Sequence, residues 1–459
     1  MPDAILTPLP DSPSIPLPSE EESEEKKGKW DKFGSYIFIV VLFLAAAGTI
    51  WAMKDTLRGM VKKTTMEATP TPSVEEPTGV IPSTENDLSS AHNKFGLAVL
   101  KEIYSKEGNL NIFISPSSIS LALSMVYNGA NGETQKAMEQ TLELKGMTVE
   151  QVDNASLQLM NLLKNPDPKV EISIANSIWA RKGVVFNPDF LAVNQKYYQA
   201  RVESLDFNQD SAVETINQWV FDSTRGKIPS IVGKPVPQDL VMFLINAIYF
   251  KGTWTYGFNK DLTLERDFFL AESAPLKVPM MVQRREDFWY LENNLFQAVS
   301  LPYGENKRLR MLILLPKEDL AGFLEKLNLE NWDKWRRGLE EKEGTLILPK
   351  FKIEYEKELK ETLSALGMEI VFDSFRADFS KLAENTYISF VKHKTYVDVN
   401  EEGTEAAAVT SVGVFEGALP NQQEIKTFYM EVNRPFFFAI EDRETQEVLF
   451  MGIVNNPKS

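Results

Sequence analysis

The chain of 459 residues contains no cysteine. Disulfide staples, thiolate nucleophiles and cysteine-based metal sites are excluded together, although this absence does not place the protein inside or outside a cell. Histidine is almost missing too: His92 and His393 are the only two, so an imidazole base has two candidates at most. Positive charge is in deficit, with 65 Asp and Glu against 49 Lys and Arg for a net −16 at pH 7. Such a balance argues against a nucleic-acid partner held by phosphate neutralisation. Also lacking are a GxSxG elbow, an HExxH helix and a GxxxxGKS/T loop. No metal, cofactor or catalytic residue is expected, and the protein does not read as an enzyme. What remains is globular in composition, at 43% hydrophobic and 25% charged residues, and long enough for two or three segments.

Residues 1–35 read as a disordered acidic tail. Six prolines between Pro2 and Pro18 and the run Glu20 to Glu25 leave too little apolar surface to offset ordering entropy. Residues 36–53 (YIFIVVLFLAAAGTIWAM) carry no charge, and as a helix they would span about 27 Å, close to the hydrocarbon thickness of a bilayer. A transmembrane helix is the expectation. A buried core helix and a cleaved signal peptide, for which Ala45, Ala46 and Ala47 supply small residues, stay open as alternatives. Lysines flank the run on both sides, so charge alone does not orient it. Residues 54–87 form a flexible Pro/Thr-rich linker, and one uninterrupted block follows from 88 to 459.

Within that block the pattern is α+β with a large sheet. Ile119–Tyr127 has helical spacing, and Lys357–Gly367 reads as an amphipathic helix closed by glycine. Ile172–Ala180 and Leu346–Ile353 read as strands, and the nearly continuous apolar run Val241–Phe250 as a central strand covered on both faces. Pro435–Ile440 and Val448–Val454 give two late, buried strands. His92, in LSSAHNKF, is expected on a helix surface, and His393 in an alternating strand as a structural group.

The informative stretch follows His393. From Gly403 it reads GTEAAAVTSVGVF, and one parity set (Thr404, Ala406, Ala408, Thr410, Val412, Val414) is uncharged, with small members first. That alternation suits a strand burying one face in a sheet. Three successive alanines and EGALPNQQE downstream suit a permanent strand poorly, and Glu-Ala-Ala-Ala also favours helix. Small side chains with a two-residue period describe a segment able to slide into a sheet.

The block resembles a serpin, in six ordered stretches: 111–134 (NIFISPSSISLALSMVYNGANGET), 216–228 (INQWVFDSTRGKI), 244–254 (LINAIYFKGTW), 348–368, 377–408 and 433–457. The resemblance implies a five-stranded central sheet among three β-sheets, about nine helices and an exposed reactive-centre loop. It also implies suicide inhibition of a serine endopeptidase. The protease cuts the loop, is held as an acyl-enzyme, and is dragged away as the freed arm inserts into the central sheet. Thr404 to Gly417, fully inserted, would carry it on the order of 46 Å. A monomer is expected, with the 36–53 segment in a lipid bilayer. That inhibitory role places the tail inside and the serpin domain on the extracellular side of a single-pass membrane protein.

The resemblance assigns roles residue by residue. Gly403, Thr404, Glu405, Ala406, Ala407, Ala408, Val409 and Thr410 match the hinge of inhibitory members. Ser115, Ser118, Asn246 and His393 match the shutter beneath the central sheet, and Trp254, Lys350 and Glu401 the breach at its top. Counting from Gly403 puts the scissile bond between Gly417 and Ala418, with a register open from Phe415 to Asn421 because the loop is longer than usual. No Lys or Arg occurs between Gly403 and Lys426, which disfavours trypsin-like targets and favours elastase-, subtilisin- or chymotrypsin-like ones. Glu416 leaves a glutamate-specific protease open. The rival functions are a non-inhibitory surface binding module and a membrane-anchored hydrolase. No basic cluster is evident in the block, so no heparin-like activator is expected.

Overall fold

The computed structural model describes residues 83–404, apart from 272, and 427–458. The tail 1–35, the apolar run 36–53, most of the linker 54–87, the hinge from Glu405 to Thr410 and the loop positions Phe415 to Asn421, with Gly417 and Ala418, lie outside the described residues. Among the described residues no helix is long and apolar enough to cross a membrane.

In chain order the elements are α1 (Ser83–Glu107), β1 (Ile112–Ile114), α2 (Pro116–Tyr127), α3 (Gly132–Thr141), α4 (Val149–Leu163) and β2 (Val170–Arg181). Next come α5 (Pro188–Tyr198), β3 (Arg201–Leu205), α6 (Asp210–Ser223), β4 (Met242–Thr253), β5 (Leu264–Phe268), β6 (Leu276–Glu292), β7 (Phe296–Pro302) and β8 (Leu309–Pro316). The chain ends with α7 (Leu320–Lys326), α8 (Leu329–Arg337), β9 (Glu340–Pro349), β10 (Phe351–Glu358), α9 (Lys360–Leu363), β11 (Phe390–Val399), β12 (Gly403–Thr404), β13 (Phe428–Glu431), β14 (Phe436–Asp442) and β15 (Val448–Val454). Nine α-helical segments thus occur among the described residues.

The central sheet runs β10-β11-β12-β4-β2-β3. Five strands were expected, and the sixth is the two-residue β12, the start of the hinge itself. The expectation of three sheets is also modified. The remaining strands form one hydrogen-bonded path, β1-β15-β14-β8-β7-β6-β9-β13, with β5 on β6. The cause is the 17-residue β6, whose register slips between Arg285 and Phe288. Its first half pairs β5 and its second half β7, so one bent strand joins what would otherwise be two sheets.

Strand β4 shows why its sequence does not alternate. Leu244, Ile248 and Phe250 face the main core, while Phe243, Ile245 and Ala247 face a second cluster with Ile216 and Val220 of α6. Both faces are covered. By contrast β11 is buried on one face only, at Val391, His393, Thr395, Val397 and Val399. Under the sheet lies α2, started by the Ser115 cap and Pro116 and buried along its whole length.

Three local expectations differ. The first helix begins at Ser83, five residues before the boundary at 88. Residues Phe351–Glu358 extend as β10, so the helix expected from Lys357 starts only at Lys360; Gly367, with φ +111°, does sit at its irregular end. His92 is buried rather than superficial, with Nδ1 2.8 Å from the equally buried Glu447 Oε1. A buried carboxylate on the β14–β15 turn needs a partner, and α1 supplies it.

Candidate functional site

The site is the seam between β4 and β11. At its lower end the two strands pair directly and in parallel, from Phe390 with Phe243 to Lys394 with Ala247. Above that they part. At the upper end the chain leaves β11 at Val399, makes a tight turn closed by the Asn400 N–H on the Gly403 carbonyl (3.0 Å), and re-enters the sheet as β12. There Gly403 pairs with Thr253, and Thr404 pairs with Gly252 on one side and Val399 on the other. Between these two zones lies a slot of four positions on each wall, 395–398 and 248–251, with no strand between them among the described residues.

Gly403 fits because it has no side chain. A Cβ there would lie 2.1 Å from the Gly252 carbonyl oxygen, and its φ of +155° is unfavourable to other residues. Thr404 is buried, and its hydroxyl lies 2.7 Å from the Tyr303 hydroxyl. Burial raises the Tyr303 phenol above its ordinary range, so it stays neutral.

The residues expected at the breach contact this turn. Trp254 stacks on Tyr303 at 4.3 Å between ring centres and donates from Nε1 to the Asn400 carbonyl at 2.9 Å. Lys350 donates to both carboxylate oxygens of Glu401, at 3.1 and 2.8 Å, and Thr263 adds a third bond at 2.9 Å. Burial pushes the Glu401 carboxyl up, but the hydrogen bonds and the Lys350 charge outweigh it and leave the group below the usual carboxylate range. Lys260 pairs with the next residue, Glu402.

The four residues expected at the shutter meet beneath the lower zone. Ser115 caps α2 and its backbone N–H donates to His393 Nε2 at 3.1 Å. Ser118 donates to Asn246 Oδ1, and Asn246 Nδ2 donates to Asn176 Oδ1 at 2.7 Å. His393 and Asn246 are register partners across the seam. Burial drives the His393 imidazole down to about 3, so it is neutral, with its proton on Nδ1. That Nδ1 is buried with no hydrogen-bond partner, as is Asn176 Nδ2. A void of about 10 Å³ touches both His393 and Asn246, at the lower limit of the volume one water needs.

All seven shutter and breach residues expected from the sequence therefore fall into two groups at the two ends of one seam, joined at the top by Gly403 and Thr404. The sequence reading missed Asn176, Tyr303, Thr263 and Lys260. Asn176 had a signal, as an amide centred in an apolar strand; the other three are drawn in from distant segments and had none.

Comparison with known proteins agrees with this geometry. Residues 90–457 match the family described as Serpin (serine protease inhibitor), and the chain belongs to the serpin family. It is 34% identical to human Serpin B11 over 81% of this chain and 99% of that one. It is 36% identical to the leukocyte elastase inhibitor of Bos taurus over 81% and 99% of the two chains. Among solved structures, the native thermophilic serpin tengpin superposes with a TM-score of 0.73 at 32% identity, covering 85% of this chain and 97% of its own. Human thyroxine-binding globulin in complex with thyroxine gives 0.75 at 28%, covering 82% and 100%.

Proposed function

We propose that the protein is a suicide inhibitor of serine endopeptidases. The protease serine attacks the loop carbonyl, the downstream amine departs, and strand insertion overtakes hydrolysis of the resulting ester. The observation carrying this reading is the seated hinge: Gly403 and Thr404 pair with β4, and Thr404 also with β11, above a slot that no described residue fills.

Continuing that register downward puts Ala406 opposite Phe250, Ala408 opposite Ile248, and Thr410 between Asn246 and His393. Thr410 would then replace the direct Asn246–His393 pairing, bringing a hydroxyl to the imidazole whose Nδ1 lacks a partner. The register runs out at Val414, opposite Met242 where β4 begins. A bond cut between Gly417 and Ala418 leaves the attached protease just beyond the foot of the sheet. Each new ladder bond contributes about 1 kcal/mol, and a filled seam outweighs the marginal stability of an ordinary domain.

The loop's lack of Lys and Arg and its small apolar residues fit an elastase-, subtilisin- or chymotrypsin-like target. The bovine relative's name, leukocyte elastase inhibitor, supports this choice. The run 36–53 anchors the chain in a bilayer as a single pass, with the inhibitor domain a monomer on the extracellular side. It would there guard the envelope against secreted proteases.

The test is to mix the protein with subtilisin and with elastase and resolve the products on a denaturing gel. A stable band of summed mass supports trapping. Loop cleavage with no adduct removes it and leaves the non-inhibitory binding module. Protease protection of the domain in sealed vesicles would overturn the proposed orientation.

A further inference from the structure

Residues of β6, β7, β8 and β9, with Tyr256, Lys307 and the β14–β15 turn, line a partly open cavity of about 60 Å³. Four cations line it, Arg285, Lys307, Arg310 and Arg443, against two acids, Asp287 and Glu341, on a protein whose net charge is −16. Two of the four are neutralised locally. Arg285 Nε holds Asp287 at 2.8 Å, and Arg310 holds Glu441 at 2.6 and 2.8 Å. Among the described residues Lys307 and Arg443 have no carboxylate partner. Lys307 donates instead to the Tyr256 hydroxyl at 2.7 Å, and Arg443 reaches the Lys307 carbonyl at 3.4 Å. Arg285 Nη1 is buried with no hydrogen-bond partner, while the guanidinium carbon lies 3.7 Å from the centre of the Tyr256 ring. Burial and the nearby Arg310 charge lower the Arg443 guanidinium, with Glu441 acting against them. Four cations converging on one small, partly open cavity repel one another, and an anion bound among them would relieve that repulsion.

We propose that this cavity binds a small tetrahedral oxyanion, an inorganic sulfate or phosphate. Its size excludes a metabolite-sized ligand, and its donors, two of them guanidinium groups and one an ammonium, suit oxygens carrying delocalised negative charge. The site also has a mechanical connection. Tyr256 belongs to the segment 254–258, whose Trp254 N–H donates to the Glu402 carbonyl at 2.9 Å and whose Phe258 N–H donates to the Glu401 carbonyl at 2.8 Å. One wall of the cavity is therefore the strap that holds the hinge turn.

Trp289 lines the cavity and is partly exposed, giving a local reporter. The experiment titrates the full chain with sodium sulfate and with sodium phosphate, at ionic strength held constant with sodium chloride, and follows tryptophan emission. Constant ionic strength matters because both anions stabilise folded proteins non-specifically. The expected result is a saturable change that vanishes in Trp289→Phe and shifts to about ten-fold weaker binding in Lys307→Gln and in Arg443→Gln. Both substituted side chains reach the surface, and a melting curve for each variant checks that it folds. No saturable change with either anion, or unshifted titrations in both folded variants, would overturn the proposal.

Discussion

The Thr404 hydroxyl lies 2.7 Å from the Tyr303 hydroxyl, both buried, so the first parity residue of the proposed hinge is already moored inside the central sheet. Tyr303 is in turn stacked on Trp254, which bonds the Asn400 carbonyl. Mooring, stacking and turn form one assembly. Replacing Tyr303 by Phe keeps the ring stack and leaves the Thr404 hydroxyl buried without a partner. The intact protein should lose about 1–2 kcal/mol in urea denaturation. An unchanged midpoint would mean that the contact carries no energy.

Thr404→Arg tests whether the hinge must enter the sheet. A charged side chain there cannot be buried without heavy cost, so the variant should be cleaved as a substrate and form no adduct on a denaturing gel. Trapping at the original efficiency would exclude insertion through this position.

Gly403→Val addresses close approach rather than charge. The added side chain would collide with the Gly252 carbonyl at 2.1 Å, and backbone does not yield as a side chain tip does. The first two hinge residues should fail to seat, and the number of chains cleaved per protease trapped should rise several-fold. A stoichiometry equal to the original would show that seating is dispensable.

His393 gives a pH dependence with a definite sign. Its folded value, about 3, lies below its unfolded value, near 6.5. As pH falls between these limits the unfolded chain takes up a proton that the folded chain refuses. Stability is therefore undiminished above about pH 6.5 and falls by up to about 1.4 kcal/mol per pH unit below it. His393→Gln should flatten the decline measured by denaturation at pH 7, 6 and 5. Glu401 acts in a lower window. Its depressed value stabilises the fold above the ordinary carboxylate range and is lost on further acidification. Parallel slopes for the original protein and His393→Gln would remove the imidazole as the cause.

What the sequence made legible was whatever is written in consecutive residues. The buried run around Phe243–Phe250 and the strand Val448–Val454 appear where periodicity puts them, and the parity of the hinge from Thr404 is plain in the chain alone. Features built by bringing distant segments together were not legible. His92 meets Glu447 across 355 positions, and no local pattern marks either as buried. Lys307 and Arg310 are close in sequence, but only the packing of β6, β8 and the β14–β15 turn brings Arg285 and Arg443 to them. The sixth strand of the central sheet was missed for another reason. Gly403 and Thr404 read as a hinge able to enter the sheet, and only the turn at Asn400 shows that they already double back into the seam.

The most direct measurement compares melting temperatures of the intact protein and of the protein nicked once in its loop by a non-target protease. Filling the seam adds about ten paired residues to the central sheet, so the nicked form should melt higher by more than about 20 °C. Equal melting temperatures would mean that cutting the loop releases nothing, and would contradict trapping by strand insertion.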